Sequence, residues 1–447
     1  MADIRTTGPE PLAVNDSGAL PHRVDVAIVG GGIIGVSAAL WLSMRGTSVA
    51  LFEKGLIGAE QSSRNWGWCR LAGRDLRELP LMIRAHELWH ELNGLVEADT
   101  GYRTCGIVYA SRTPEALDRH QRWIAAARDL GIRAEMLSPR QFVERVPGLT
   151  QPAEGALFTP TDGRAEPQFA APLIARAAMA RGATIAQRCA VRAIDVEAGR
   201  IAGIATERGR VRADTVIVAG GAWSRLLLKG VGLVLPQLRV LSSVYRTAAF
   251  DAGIESSLSF SSFALRKRLD GGYTVASSGE SLTQITPDTL RFFFSFLPAY
   301  LAERKGMTLR FGKAFIDEAL RWRPGDADSP SIYEAVRILD PRPHVPTLRR
   351  VRDAIASAIP SFRDVPVAQS WAGMIDVTPD AIPVISKTGI PGLVVGTGFS
   401  GHGFGIGPAA GEMLADLAMD RKTSSDAAPF ALSRFSDGSK LDLQHWL

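Results

Sequence analysis

The chain has 447 residues, 46% of them hydrophobic, enough to bury a large core and to divide into two or three domains, which excludes a disordered protein. Its 51 lysines and arginines against 46 acids leave a formal charge of +5 without any long basic run, which argues against nucleic-acid binding and only weakly favours small anionic substrates. Cys69, Cys105 and Cys189 are odd in number, far apart and lack a C-x-x-C pair, so neither a disulfide framework nor a metal site is expected, and a reducing cytoplasm fits.

Residues 1–20 mix Asp, Asn, Pro, Gly and Arg without an apolar centre, unlike a secretory signal, and are expected to form a mobile arm. Val24 to Val29 is a short apolar run suited to a buried parallel strand. Gly30-Gly31-Gly32-Ile33-Ile34-Gly35 then supplies a G-x-G-x-x-G turn. Gly30 makes the tight bend, Gly32 lets backbone approach a pyrophosphate, and Gly35 lets helix pack on strand. A helix opened by Ile33 and Ile34 runs to about Arg45 and ends at Gly46, with its free N–H groups and positive dipole end facing the turn. The next strand, Ser48 to Phe52, delivers Glu53, followed by Lys54; the Glu53 carboxylate can accept both hydroxyls of an adenosine ribose, so an unphosphorylated ribose is favoured. This order predicts a dinucleotide site. A tight turn without a ligand is the alternative, because a chain with 44 glycines can contain such a motif by chance.

Farther along, Pro167 to Arg181 reads as an alanine-rich helix, and Ala183 to Ile185 and Ala190 to Ile194 as strands. Gly203 to Val211 reads as a hairpin, and Thr215 to Val218 as a buried strand entering Ala219-Gly220-Gly221-Ala222-Trp223. Gly272 to Ala276 alternates as a half-buried strand. Leu290 to Leu301, with Phe292, Phe293, Phe294 and Phe296, is too short to cross a bilayer. It is expected as a core helix, with a partner-facing or membrane-surface helix as the alternative. Leu393 to Gly396 is a buried strand feeding the glycine-rich loop 398–407, and a helix is expected from about Ala409 to Met419. The fold class is therefore α/β: a Rossmann-like nucleotide-binding domain from the discontinuous segments 21–99, 155–235 and 366–447. An α+β substrate domain, 100–154 and 236–365, roofs it with an antiparallel sheet.

Together these segments resemble the D-amino-acid-oxidase family of FAD-dependent oxidoreductases, closest to its glycine oxidase, sarcosine oxidase and opine or hydroxyproline dehydrogenase branches. The resemblance rests on the glycine turn, Gln61-Ser62-Ser63, Thr161-Asp162-Gly163, Val218 to Trp223, Thr378-Pro379-Asp380 and Gly398 to Phe404, in that order. It implies an extended FAD, with Ser62 and Ser63 at the diphosphate and the near edge of the flavin, and Val191 meeting the adenine. Ala219, Gly220 and Trp223 match the second flavin-binding strand. Gly398, Ser400, Gly401, His402, Gly403 and Phe404 match the loop at the pyrimidine end of the ring. The implied chemistry is hydride transfer from a carbon beside an amine nitrogen to flavin N5, giving an imine that water hydrolyses. The implied partners are a small amine or amino-acid substrate and either oxygen or an electron-acceptor protein. The oligomeric state is left open, and no transmembrane segment is expected.

Departures from the family pattern narrow the reading. Where some relatives carry a flavin-linked cysteine this chain has Gly373, so the FAD is expected to be non-covalent, and Cys69 reads as a small buried hydrophobe. Where glycine and D-amino-acid oxidases place a carboxylate-binding arginine this chain has Ile375, which cannot pair a carboxylate. The sarcosine oxidase branch supplies arginine after the double serine instead. In Arg64-Asn65-Trp66-Gly67-Trp68-Cys69-Arg70, Arg70 is the candidate carboxylate ligand and Trp66 and Trp68 can stack on a cationic amine. The alternatives are a salt bridge for Arg70 and interdomain packing for the tryptophans. His402 is open between structural hydrogen bonding and a catalytic base, and Asp376 and Asp380 between loop capping and general base. No lysine is assigned to oxygen activation, which leaves oxidase and dehydrogenase both open.

Overall fold

The apolar run expected as the first strand forms Arg23–Val29, and it lies at the centre of a parallel arrangement. In this computed structural model, which describes residues 7–260, 262–304 and 306–444, it pairs with Val49–Phe52 on one side and Gly209–Val218 on the other. The sheet order is Val191–Glu197, Arg200–Thr206, Gly209–Val218, Arg23–Val29, Val49–Phe52 and Thr184–Ala186. Leu393–Thr397 pairs in parallel with the end of Gly209–Val218, and Val384–Lys387 pairs antiparallel with it. Buried on both faces, such strands must be apolar almost throughout, as Val49–Phe52 and Leu393–Thr397 are.

The helix Ile33–Met44 is buried on nearly every side because Pro167–Ala180 and Gly403–Ala418 both pack on it. The latter begins at Gly403, well before the expected start near Ala409, and so takes up most of the glycines read as loop. Their small size is needed for the packing. A Cβ on Gly407 would lie 3.0 Å from Ile33, and one on Gly411 would lie 2.3 Å from the Ser37 Cβ and 2.6 Å from the Ala38 backbone nitrogen.

A second, ten-stranded sheet is organised about Leu238–Thr247, which pairs with Val367–Val377 from Leu238 opposite Val377 to Thr247 opposite Val367. It is mostly antiparallel, as expected, with parallel pairing of Ser257–Phe260 on Ile107–Ser111 and of Ser281–Gln284 on Met307–Arg310. Gly155–Thr159 and Val367–Val377 belong to this sheet, which corrects the expected boundaries at 155 and 366. A short buried run reads alike for either sheet, so only pairing assigns it. Trp68–Cys69, Gly163–Arg164 and Arg103–Thr104 form a small third sheet between the two.

Two further expectations change. The N-terminal segment is docked from residue 7 onward, with residues 1–6 outside the described residues: Leu12 N–H donates to the Gln168 carbonyl (3.0 Å), Ser17 N–H to Ile185 (2.9 Å) and Thr7 N–H to Asp340 (2.7 Å). The segment 290–301 is not a core helix. It breaks into Pro287–Arg291 and Phe293–Glu303 with neither holding a buried residue, and Phe294 is 84% exposed. Leu290, Phe293, Leu301, Phe311, Ile316 and Leu320 are exposed as well, because this excursion projects from the edge of the second sheet with little chain packed over it. Among the described residues no helix is long and apolar enough to cross a membrane.

The tight helix crossing is testable. Gly411→Ala gains about 1 kcal/mol of helix propensity but forces a contact on backbone that places it at the upper end of overpacking costs, about 2–3 kcal/mol, so a net loss of about 1–2 kcal/mol is expected in denaturant unfolding. An unchanged midpoint overturns the crossing geometry.

Candidate active site

Gly30 adopts φ +111°, and a Cβ there would lie 2.3 Å from the Ala219 carbonyl oxygen, so no other residue fits the turn. Gly30 N–H donates to Phe52 (2.9 Å) and Ala219 N–H to Val29 (2.8 Å), which brings the three strand ends together at this point. A Cβ on Gly35 would lie 2.0 Å from the Gly30 oxygen, the close helix-on-strand packing expected. Gly32 caps the first helix, and Ile33 N–H donates to Ser62 Oγ at 2.9 Å. Glu53 accepts N–H from Gly31 and Gly55, both at 2.7 Å; burial pushes its carboxyl up, and the neighbouring Lys54 opposes this. Lys54 donates to Glu60 (2.5 Å) and to the carbonyls of Val336 (2.9 Å) and Arg337 (3.0 Å), so its donors are fully engaged with protein.

A cavity of about 1080 Å³ opens at this turn, larger than the roughly 300–1,000 Å³ usual for one small ligand. Gly30, Gly32, Ile33, Ile34, Glu53, Lys54, Ser62, Val191, Ala219, Gly220 and Trp223 line it. So do Ser400, Gly401, His402, Gly403 and Phe404, together with Trp66, Trp68 and Arg70. The structure thus brings together nearly every predicted site residue. Three stand behind the lining: Gly35 at the helix–strand contact, Ser63 and Gly398. Ser63 is 1% exposed, because neighbours on the one-turn helix Gln61–Arg64 point about 100° apart and only Ser62 faces the cavity. Gly398 (φ +72°) instead donates its N–H to Asp376 at 2.7 Å.

Asp376 also accepts from Gln237 (3.0 Å) and Thr397 (3.1 Å), while Asp380 is bound by Arg434 at 2.9 and 3.2 Å. Both carboxylates therefore tie loops down. Trp223 stacks on Trp322 (4.4 Å, 4°) and donates its indole N–H to Glu60. Arg64 is buried and held by Asp340 (2.6 Å) and the Ala372 carbonyl (2.8 Å), a structural tie to the second sheet. None of the three cysteines lines the cavity. Among the described residues no cluster of three His, Cys, Asp or Glu is placed to hold a metal ion.

Beyond Ile375 and Gly373 the cavity ends in an aromatic wall with arginines. Trp66 meets Trp68 edge-on at 5.2 Å, Trp68 meets Tyr109 at 5.8 Å, and the Arg70 guanidinium lies 5.6 Å over the Tyr109 ring. Arg70 donates to the Ala72 carbonyl and forms no ion pair among the described residues, so the salt-bridge alternative is not realised there. Asp162 fixes this loop by accepting N–H from Leu71 (2.7 Å) and Ala72 (3.1 Å). His402 Nδ1 lies 3.3 Å from Glu78 Oε2 without a well-aligned hydrogen bond. Burial, then Arg74, push the imidazole down to about 4, so it is neutral at pH 7. Arg74, Tyr109, Arg112, Arg119 and His120 also line this end and were not singled out from the sequence. Arg74 continues the arginine-rich stretch after the double serine, a usable signal. The others come from the roof segment, where no motif marks them.

The comparisons agree with this geometry. The family model described as FAD dependent oxidoreductase matches residues 25–417, and the chain belongs to that family. It is 26% identical over 460 residues to sarcosine oxidase subunit beta of Arthrobacter sp, covering 99% of this chain and 98% of that protein. It is likewise 26% identical to glycine oxidase of Geobacillus kaustophilus, covering 93% and 98%. Among solved structures, L-amino acid deaminase from Proteus myxofaciens in complex with anthranilate superposes with a TM-score of 0.93 at 30% identity, over 97% of this chain and 98% of that one.

Burial pushes the Asp162 carboxyl up to about 7, against two backbone N–H donors. A folded-state value raised above the unfolded one, about 3.9, gives a stability contribution that is full below about pH 4 and lost as pH rises through about 7. Asp162→Asn cannot titrate and should lack this falling component when unfolding free energies are compared across that window. Parallel pH profiles for the two proteins overturn the assignment.

Proposed function

We propose that this flavoenzyme oxidises the C–N bond of an amine or amino acid, with a secondary amine, imino acid or opine favoured, and that Arg70 holds the substrate carboxylate. The observation that carries the reading is an arginine without a carboxylate partner, set against Trp66, Trp68 and Tyr109 in the same cavity as the glycine turn.

The residues present fit an extended FAD. Gly30 and Gly32 leave room for its diphosphate at the N-terminus of Ile33–Met44, where free N–H groups and the dipole favour an anion. Ser62 and Glu53 flank that position. The Glu53 carboxylate keeps acceptor capacity for ribose hydroxyls beyond the two N–H groups it already binds. The start of Gly403–Ala418 presents a second helix N-terminus to the cavity, placed to favour negative charge on a reduced ring. The lack of a lining cysteine supports non-covalent attachment. Bound there, the flavin supplies a hydride acceptor, and water then hydrolyses the resulting imine.

The chain's own task is positioning and dryness. Arg70 orients the carboxylate, Trp66 and Trp68 cover the amine side, and Tyr109 braces both Trp68 and Arg70. Asp376 is engaged by three donors and His402 is held neutral, and an amine that reacts in its neutral form needs neither as a proton acceptor. The electron acceptor is oxygen or an acceptor protein.

The test is an anaerobic screen of opines, cyclic imino acids and N-methyl amino acids for bleaching of the flavin absorption, repeated in air to separate oxidase from dehydrogenase. Bleaching by a carboxylate-bearing amine is expected, and a bound flavin that no such amine reduces overturns the reading. With a substrate in hand, Arg70→Ala should weaken carboxylate-bearing amines by about 2–5 kcal/mol in kcat/KM. Unchanged kinetics remove Arg70 from the site.

A further inference from the structure

Seven arginines are buried among the described residues, and six have a carboxylate within 4 Å: Arg64 with Asp340, Arg164 with Glu255, Arg225 with Asp288, Arg266 with Glu166, Arg268 with Asp270 and Arg434 with Asp380. Arg74 is the seventh. It is 3% exposed, it lines the cavity, its Nη1 is buried without a hydrogen-bond partner, and its Nε makes only a long 3.4 Å bond to the Arg70 carbonyl. Burial and the adjacent Arg70 push its ionisation down to about 9. Glu78 and Asp162 favour its charge from farther away, and the Glu78 carboxylate faces His402 instead. An unpaired buried cation is costly, and an anion arriving at Nη1 would remove that cost.

The helix Pro114–Arg128 closes the same end. Ala116, Arg119 and His120 line the cavity at helical spacing, and one turn on, Trp123 donates its indole N–H to the Arg74 carbonyl at 3.0 Å. Arg119 therefore stands one turn from the residue that touches Arg74, and its Nε too is buried without a partner. Of the four acidic lining residues, Glu53, Glu60 and Asp376 are engaged by protein around the glycine turn and the loop at Gly398. Glu303, the fourth, is exposed and forms no ion pair with Arg70, Arg74, Arg112 or Arg119 among the described residues. One carboxylate held on Arg70 leaves the Arg74 Nη1 still without a hydrogen-bond partner.

We infer that the cavity carries a second anion subsite, formed by Arg74 with Arg119, and that the substrate is a dicarboxylic amine: one carboxylate on Arg70, the other on an N-substituent or side chain reaching Arg74. This rests on the reading of Arg70 above and narrows its substrate class to acidic amino acids and dicarboxylic secondary amines.

The holoprotein tests it without a known substrate. Glutarate and pentanoate differ by one terminal carboxylate, and each is titrated while the flavin absorption is followed. Glutarate should bind about tenfold or more tightly than pentanoate, as expected for a second charged contact in a desolvated site. Arg74→Met should bring that preference to within about threefold while leaving pentanoate nearly unchanged, and Arg119→Gln should reduce it in the same direction. Equal affinities in the wild type overturn the subsite, as does an Arg74→Met variant that weakens both acids alike, which would mean one carboxylate bridging both guanidiniums. If Arg74→Met fails to retain FAD, the half-buried Arg119→Gln decides, and an unchanged preference there overturns the subsite. Arg70→Ala separates the two readings. If it weakens both acids while glutarate shows no preference, only the second subsite falls. If it weakens neither, or if neither acid perturbs the flavin of the wild type, the Arg70 reading falls and the subsite with it.

Discussion

At Gly30 the backbone of the first strand's end passes so close to the Ala219 carbonyl that even a methyl group would sit 2.3 Å from oxygen. That contact fixes where the strands Arg23–Val29 and Gly209–Val218 end side by side, although about 190 residues of chain separate them. It therefore also fixes where the first helix begins, because Gly35 needs the same Gly30 oxygen within reach of its own backbone. The cavity inherits its geometry from this point. The helix N-terminus, Glu53 at the end of the adjacent strand, and Ala219 and Gly220 all converge there because the three strands stop at one level.

A second helix repeats the logic from the far side. Gly403–Ala418 packs on Ile33–Met44 through Gly407 and Gly411, close enough that its first turn reaches the same cavity. Two helix N-termini thus face one space, which concentrates positive potential there before any side chain is counted. Around the glycine turn the protein answers its own charges, with Lys54 on Glu60, Asp376 on three donors and Arg64 on Asp340. Those charged side chains are held in place because each already has its partner.

Local pattern carried the first of these features and little of the second. The strand–glycine–helix–strand–acid order is written within about thirty residues and needs no long-range information, so its cavity-lining residues were legible. The helix at Gly403 was misread at its start because glycine lowers helix propensity, and only the packing on Ser37 and Ala38 explains why glycines stay helical. Gly155–Thr159 and Val367–Val377 went to the wrong sheet because strand partners lie far away in sequence. Phe292 is buried as expected, but Phe293 and Phe294 are exposed, because hydrophobicity reports what can be buried, not whether chain is available to bury it. Ser63 failed on a finer point, the direction of one residue on a single helical turn.

The arginines of the cavity end show where composition misleads. A formal charge of +5 over 447 residues predicts almost no field, yet Arg70, Arg74, Arg112 and Arg119 line one cavity without an ion pair among the described residues, with Glu78 turned to His402 and Asp162 holding backbone N–H groups. Elsewhere in the molecule buried arginines are neutralised in place, so the unpaired set is not a general habit of this chain. Trp68, Tyr109 and Arg74 are buried, and charges in such surroundings are screened less than on the surface and act on an incoming anion at greater strength. In the reaction proposed above, the aromatic wall that would keep the reacting carbon dry would also sharpen selection by the arginines, so dryness for chemistry and discrimination by charge would arise from one set of side chains.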